Sequence, residues 1–320
     1  MGVSREFVER CAAATGFDGP TLEKVSRLGT IAAEVAAHPS LRGALVLKGG
    51  TAINLCHGPP TRLSVDLDYN FVGCEDREGM VFVRPGVERA LVELLRRMGY
   101  AVQHSAEAAA ARKFHASYRS VMGPPDRIEV DINYLWRVPL AGVREAELWQ
   151  PGALARPRIT VVSQVELWVG KMLAFLDRTA PRDAWDVSRL QELAPDTFGP
   201  RLFRQWFVAM AFVLDHPLHT YGLDVLRSRW SSRRIDEQLR PMLICGTRLD
   251  SAELLSTAWN AVAPLLEPSR DEAAFSEAAQ AGRVDASLLF GVDREASRRF
   301  ESHPQVLWKL RNLCQRLDPS

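Results

Sequence analysis

Strict alternation from Leu63 to Phe71 constrains this chain more than any other stretch: Leu63, Val65, Leu67, Tyr69 and Phe71 fall on one parity, and Ser64, Asp66, Asp68 and Asn70 on the other. That is the period of a strand with one face in a core. The polar parity carries two carboxylates, although Asp is disfavoured in strands and neighbouring like charges resist joint ionisation. A cation between them removes the conflict. Oxygen ligands at i, i+2 suit Mg²⁺, which takes one or two protein carboxylates and completes its shell with water and phosphate.

The preceding residues supply a place for that phosphate. Ala44-Leu45-Val46-Leu47 reads as a short buried strand that runs through Lys48 into Gly49-Gly50, and then into a helix from about Thr51 to His57, ended by Pro59 and Pro60. Glycines at a strand-to-helix turn let phosphate approach the backbone, and amides at the helix start point at it. Thr51 adds a hydroxyl and Lys48 a cation. Ser64 shares the parity of the aspartates, so its hydroxyl either bonds an adjacent backbone group or faces the site, where it would be open to modification.

A second strand, Asp126 to Tyr134, repeats the pattern, with Ile128, Val130 and Ile132 apolar and Glu129, Asp131 and Asn133 on the opposite parity. A third carboxylate is therefore available. Residues Thr21 to His38 carry a helical stripe of Leu22, Val25, Leu28, Ile31, Ala32 and Val35, suited to bracing a sheet. Val87 to Met98 predicts another helix, followed by strands over Ala101–Ser105 and Lys113–Val121.

Pro151, Gly152 and Pro157 mark a break, which divides the chain into residues 1–157 and a mainly helical 158–320. The helix opening near Ser163 and running to about Asp177 places Lys171 among Leu167, Trp168, Ala174 and Phe175, where a lysine either snorkels outward or holds an anion. Another helix starts at Pro181, with Asp183 and Asp186 on one face and Arg182 within reach of Asp186 at i, i+4.

A chain of 320 residues can bury a large core, and its net charge of +1 provides no global field for nucleic acid. Any such surface is local. Arg227, Arg229, Trp230, Arg233 and Arg234 form a basic cluster that contains an aromatic, able to contact phosphate and stack on a base or simply to form a solvated helix face. Five scattered cysteines argue for a reducing compartment. The N-terminal residues lack an apolar signal region and no run is long enough for a membrane span, so a cytoplasmic protein is expected. His216-Pro217-Leu218-His219 carries little weight as a metal motif, because Pro217 breaks the helix that would align the two rings.

The order strand, Gly-Gly-Thr, helix, D-x-D strand resembles the signature of the DNA polymerase β-like nucleotidyltransferase superfamily. Lys48-Gly49-Gly50-Thr51-Ala52, with Arg62-Leu63-Ser64-Val65-Asp66-Leu67-Asp68, resembles its AbiEii/AbiGii-type toxin branch, which includes the MenT toxins. Lys171, Arg178 and Pro181-Arg182-Asp183-x-x-Asp186 resemble the second block of that branch, so the likeness covers roughly residues 40 to 190. Gly50-Thr51 departs from the commoner Gly-Ser and keeps a hydroxyl.

The resemblance implies an α+β fold: a polymerase β-like core, a small mixed sheet flanked by helices, followed by the helical domain. It implies a toxin of a type IV-like toxin-antitoxin system that transfers a nucleotide from an NTP, with CTP and GTP both candidates, to the 3′ end of tRNA. Pyrophosphate leaves and translation stops. Asp66, Asp68 and Asp131 would hold Mg²⁺ or Mn²⁺, Glu129 being the fallback for Asp131. Lys171 and Asp186 would complete the catalytic set, and Lys48, Gly49, Gly50, Thr51, Ser64 and Arg182 would bind nucleotide. Its partners would be tRNA and a cognate antitoxin, with no membrane. Two other readings compete: transfer to a protein or small-molecule hydroxyl, and a catalytically silent scaffold that binds a partner.

Overall fold

A computed structural model describes residues 3–106, 108–193 and 200–317. It divides into two compact units, residues 1–163 with 237–248, and residues 164–236 with 249–320.

The first unit is built on a seven-stranded sheet in the order β3-β4-β5-β2-β1-β7-β6. In chain order the strands are β1 (Leu45–Lys48), β2 (Asp66–Phe71), β3 (Ala101–His104), β4 (Ala111–Tyr118), β5 (Asp126–Asn133), β6 (Val143–Glu147) and β7 (Arg158–Val162). β2 lies between β1, which runs antiparallel to it, and β5, which runs parallel, so both carboxylate-bearing strands are central. β7 pairs parallel with β1. The sheet therefore continues past Pro157, where the sequence suggested a break, because Ile159, Val161 and Val162 are core residues. No local signal in the sequence announces that residues 237–248 return to this unit.

Helices α1 (Arg5–Thr15) and α2 (Gly19–Ala37) precede the sheet, α3 (Gly49–Leu55) links β1 to β2, and α4 (Arg77–Arg97) links β2 to β3. All six apolar positions of the α2 stripe are buried, and α2 packs against β2, β5 and β7. Burying each such side chain contributes about 1.5–3 kcal/mol, which makes this helix the brace behind the carboxylate strands. α4 starts ten residues before the expected Val87: Asp76 caps it by accepting from the Gly79 amide at 2.7 Å, and Pro85 is carried inside the helix. The Arg84–Glu88 ion pair at 2.7 Å spans that proline.

The second unit is helical: α5 (Gln164–Arg178), α6 (Pro181–Ser188), α7 (Leu190–Leu193), α8 (Pro200–Ala211), α9 (Leu223–Arg229), α10 (Ser232–Gln238), α11 (Ser251–Val262), α12 (Arg270–Gln280), α13 (Ser287–Phe290), α14 (Arg294–Glu301) and α15 (Pro304–Leu317). The last two residues of α10 fall in the returning segment of the first unit. Among the described residues no helix is long and apolar enough to cross a membrane.

Candidate active site

The β1–α3 turn brings backbone and carboxylate together. Gly49 adopts φ 70°, and a Cβ there would run into Asp68 Oδ2. Glycine is thus required twice, by the left-handed backbone and by the approach of the carboxylate. A Cβ on Gly50 would lie 3.1 Å from both the Arg62 guanidinium and Ser64 Oγ. Gly49→Ala is expected to cost about 1–2 kcal/mol from the backbone alone, and to lower activity further by pushing Asp68 aside; thermal melting and a transfer assay read the two effects.

Thr51 is 1% exposed, and its hydroxyl donates to the Asp66 carbonyl, tying the start of α3 to the start of β2. The hydroxyl expected at phosphate therefore has a structural partner, and the Thr51 amide is what remains for an anion. β2 is also shorter than the alternation suggests. Leu63 donates its amide to the Met242 carbonyl at 2.7 Å, at the end of a short 3-10 turn in the returning segment, and the strand starts only at Asp66. Ser64 is 4% exposed and sits beside Gly50, as does Arg62 at 2%. The sequence assigned Arg62 no role; a buried arginine holding the Leu63 carbonyl at 2.8 Å shapes the turn.

The carboxylates meet across the sheet. Asp68 is in register with Asp131, Asp66 with Glu129, and Lys48 with Asp68. Residues directly opposite on neighbouring strands project to the same face. Burial pushes the Asp131 carboxyl above its ordinary value; Lys113 opposes that shift and the nearby Asp68 charge adds to it. Asp131 Oδ1 is buried without a hydrogen-bond partner.

One group on this face was missed from the sequence. Lys113, opposite Asp131 on β4, places Nζ 2.9 Å from Glu129 Oε2 and 3.3 Å from Asp131 Oδ2. Its hydrogen bond to Glu129 raises the lysine pKa and holds the Glu129 carboxyl below its usual range. In the sequence Lys113 was simply the start of a strand, and only the β4–β5 register puts it between acids. Among the described residues no three His, Cys, Asp or Glu side chains converge as a protein-only metal cage. A hard cation nonetheless suits an orphaned aspartate oxygen next to a second aspartate, with water and phosphate completing its shell.

Within the second unit, Lys171 is 7% exposed and Asp186 fully buried. Lys171 Nζ lies 2.8 Å from Asp183 Oδ1 and 3.1 Å from Asp186 Oδ2. Arg178 adds a fork to Asp183 at 2.6 and 3.0 Å. Burial would raise the Asp183 carboxyl, but Lys171 and Arg178 together hold it well below the ordinary range. Lys171 neither snorkels nor lies bare: it is clamped by two carboxylates. Asp183, left out of the expected site, is its nearer partner. The clamp is set by the α5–α6 turn, where Thr179 adopts φ 48° and is fully buried. A β-branched residue there stores about 1–3 kcal/mol of strain. Arg182 is half-buried at the start of α6.

The chain matches the family profile described as "Nucleotidyl transferase AbiEii toxin, Type IV TA system" over residues 31–281. It belongs to the AbiEii toxin family. This AbiEii chain is a nucleotidyltransferase, and the match runs well past the blocks legible near residue 190, into α12 of the helical unit. Its fold is similar to that of MenT4, a nucleotidyltransferase toxin from Mycobacterium tuberculosis H37Rv, with a TM-score of 0.60 and 20% identity, covering 96% of this chain and 99% of that one. A CdnC:HORMA-deltaN complex structure from E. coli MS115-1 is far more distant, at TM-score 0.27 and 9% identity over 95% of this chain and 98% of that one. No curated protein matches the chain by sequence.

In this AbiEii chain the basic cluster is partly committed to structure. Arg229 donates to the Asp177 carbonyl at 2.9 Å and Arg234 to the Arg178 carbonyl at 3.3 Å, satisfying the end of α5. Trp230 donates its indole N–H to Ser251 Oγ at 2.9 Å. Arg227 and Arg233 are exposed. His216 and His219 line a cavity of about 390 Å³ in the helical unit, with Pro217 between them as the sequence required.

Proposed function

We propose that this toxin transfers a nucleotide from an NTP to the 3′ hydroxyl of tRNA, releasing pyrophosphate and blocking translation, with a cognate antitoxin to counter it. The observation that carries the chemistry is the cross-strand pair Asp68–Asp131 beside the Gly49–Gly50 turn, with an orphaned buried oxygen on Asp131. Asp66, Asp68 and Asp131 are assigned to a divalent cation, Mg²⁺ or Mn²⁺. Once bound, the metal lowers the charge on the triphosphate and stabilises the transition state at the α-phosphate.

The remaining work falls to the chain. The amides of Gly49, Gly50 and Thr51 receive phosphate oxygens, and Lys48, in register with Asp68, supplies a cation at the same turn. Asp131 accepts the proton of the attacking hydroxyl in this scheme. Lys171 is assigned the departing β/γ phosphates, and Asp183 and Asp186 orient it. Arg182 is a further phosphate candidate, and Ser64 faces the glycine turn, where a modification of its hydroxyl would crowd the nucleotide. Tyrosine and serine acceptors on proteins, or hydroxyls on small molecules, would undergo the same transfer chemistry, so the acceptor rests on the family resemblance and on the exposed arginines.

The test is transfer from each α-labelled NTP with total RNA and total protein as competing acceptors. Label is expected at the 3′ end of tRNA. Label confined to protein rejects the acceptor, and no transfer with any NTP leaves a silent scaffold. Reversing charge at Arg227 and Arg233 is expected to weaken RNA binding while sparing NTP binding; Arg229 and Arg234 are unsuitable because they also hold α5.

A further inference from the structure

The carboxylate face already carries a cation of its own. Lys113 Nζ bridges Glu129 at 2.9 Å and Asp131 at 3.3 Å, on the side of Asp131 away from Asp68 in the strand order. Its side chain is 42% exposed on a flexible four-carbon stem, so it can move without repacking the core. Glu129 can hold it after it leaves Asp131: the contact there is the shorter one, and Arg127 at 3.3 Å already pairs with Glu129 on this face. Asp131 has one oxygen occupied by Lys113 and the other buried without a partner. A divalent ion and an ammonium at the same carboxylate repel, to the modest extent that a partly exposed pair allows.

We propose that Lys113 is a resident counter-ion of the active site, which an incoming divalent cation must displace from Asp131 onto Glu129. The lysine offsets the charge of Asp131 in the metal-free protein and sets the cation concentration at which the site fills. It is a positioning residue that acts through Asp131. The inference rests on the assignment of Asp68 and Asp131 to the metal.

Mn²⁺ titration of the full-length, nucleotide-free protein, with free ion read by electron paramagnetic resonance, tests it without any activity assay. Lys113→Met is expected to tighten Mn²⁺ binding roughly fivefold, the worth of a partly exposed ion pair. Lys113→Arg should stay near the parent. Lys24→Met removes a charge of the same sign from α2, where Lys24 pairs with Asp126 at the start of β5 at 2.9 Å, and should leave affinity unchanged. Equal or weaker binding by Lys113→Met overturns the inference, as does an equal gain in Lys24→Met, which would assign the effect to net charge. Parent-like Mn²⁺ affinity in Asp68→Asn overturns instead the metal assignment beneath it.

Discussion

Asp68→Asn is expected to lower the rate of nucleotide transfer by roughly 10²–10³-fold or more, the usual cost of removing a charge aimed at the transition state, while the protein stays as stable as its parent. The two outcomes separate because of where Asp68 sits. It faces Asp131 across parallel strands, and its charge adds, by repulsion, to the rise of the Asp131 carboxyl above its ordinary value. Asparagine keeps the shape beside Gly49 and removes that repulsion, so nothing in the fold depends on the lost charge. Urea midpoint and transfer rate, measured on one preparation, check both halves. A variant that transfers as fast as the parent removes Asp68 from the chemistry; one that unfolds early makes its role structural.

Lys171→Ala is expected to behave differently, losing activity and about 3–5 kcal/mol of stability together. It would remove the cation shared by Asp183 and Asp186, which are 1% and 0% exposed. Arg178 still reaches Asp183, but from a side chain that is 61% exposed and so screened by solvent. Loss of toxicity in this variant is therefore ambiguous unless folding is measured. Replacing the clamp as a unit, with Lys171→Met, Asp183→Asn and Asp186→Asn, should recover much of the stability and none of the activity. The sign of the pH dependence follows from Asp183. Its carboxyl is held below the ordinary 3.8, so its contribution is complete above that value and is lost as pH falls toward the lowered native one. Acid titration of the parent and the triple variant, followed by far-ultraviolet circular dichroism, should show the parent alone losing this increment.

Much of the sheet was legible because alternation is a local property. Leu67, Tyr69 and Phe71 on one parity and Asp66 and Asp68 on the other identify β2 and its two faces without reference to any other strand. The α2 stripe was legible for the same reason, and every position in it is buried. Boundaries failed where the deciding partner is distant or atypical. Leu63 bonds Met242 in place of a strand partner, and α4 extends past Pro85 because Asp76 caps it and Arg84 pairs with Glu88 across the proline.

The site divides along the same line. Which residues are candidates for chemistry could be read from residue type and spacing: the D-x-D pair, the glycines before a helix, the carboxylates of β5, and a lysine followed by Asp186. What each side chain is bonded to could not, because that depends on strand register and on turns that bring separate segments within 3 Å or so of each other. Register placed Lys113 against Asp131, the α5–α6 turn at Thr179 delivered Asp183 to Lys171, and the start of β2 took the Thr51 hydroxyl. Side-chain identity travels along the chain, but the electrostatic partners that tune it are fixed only when the chain has closed on itself.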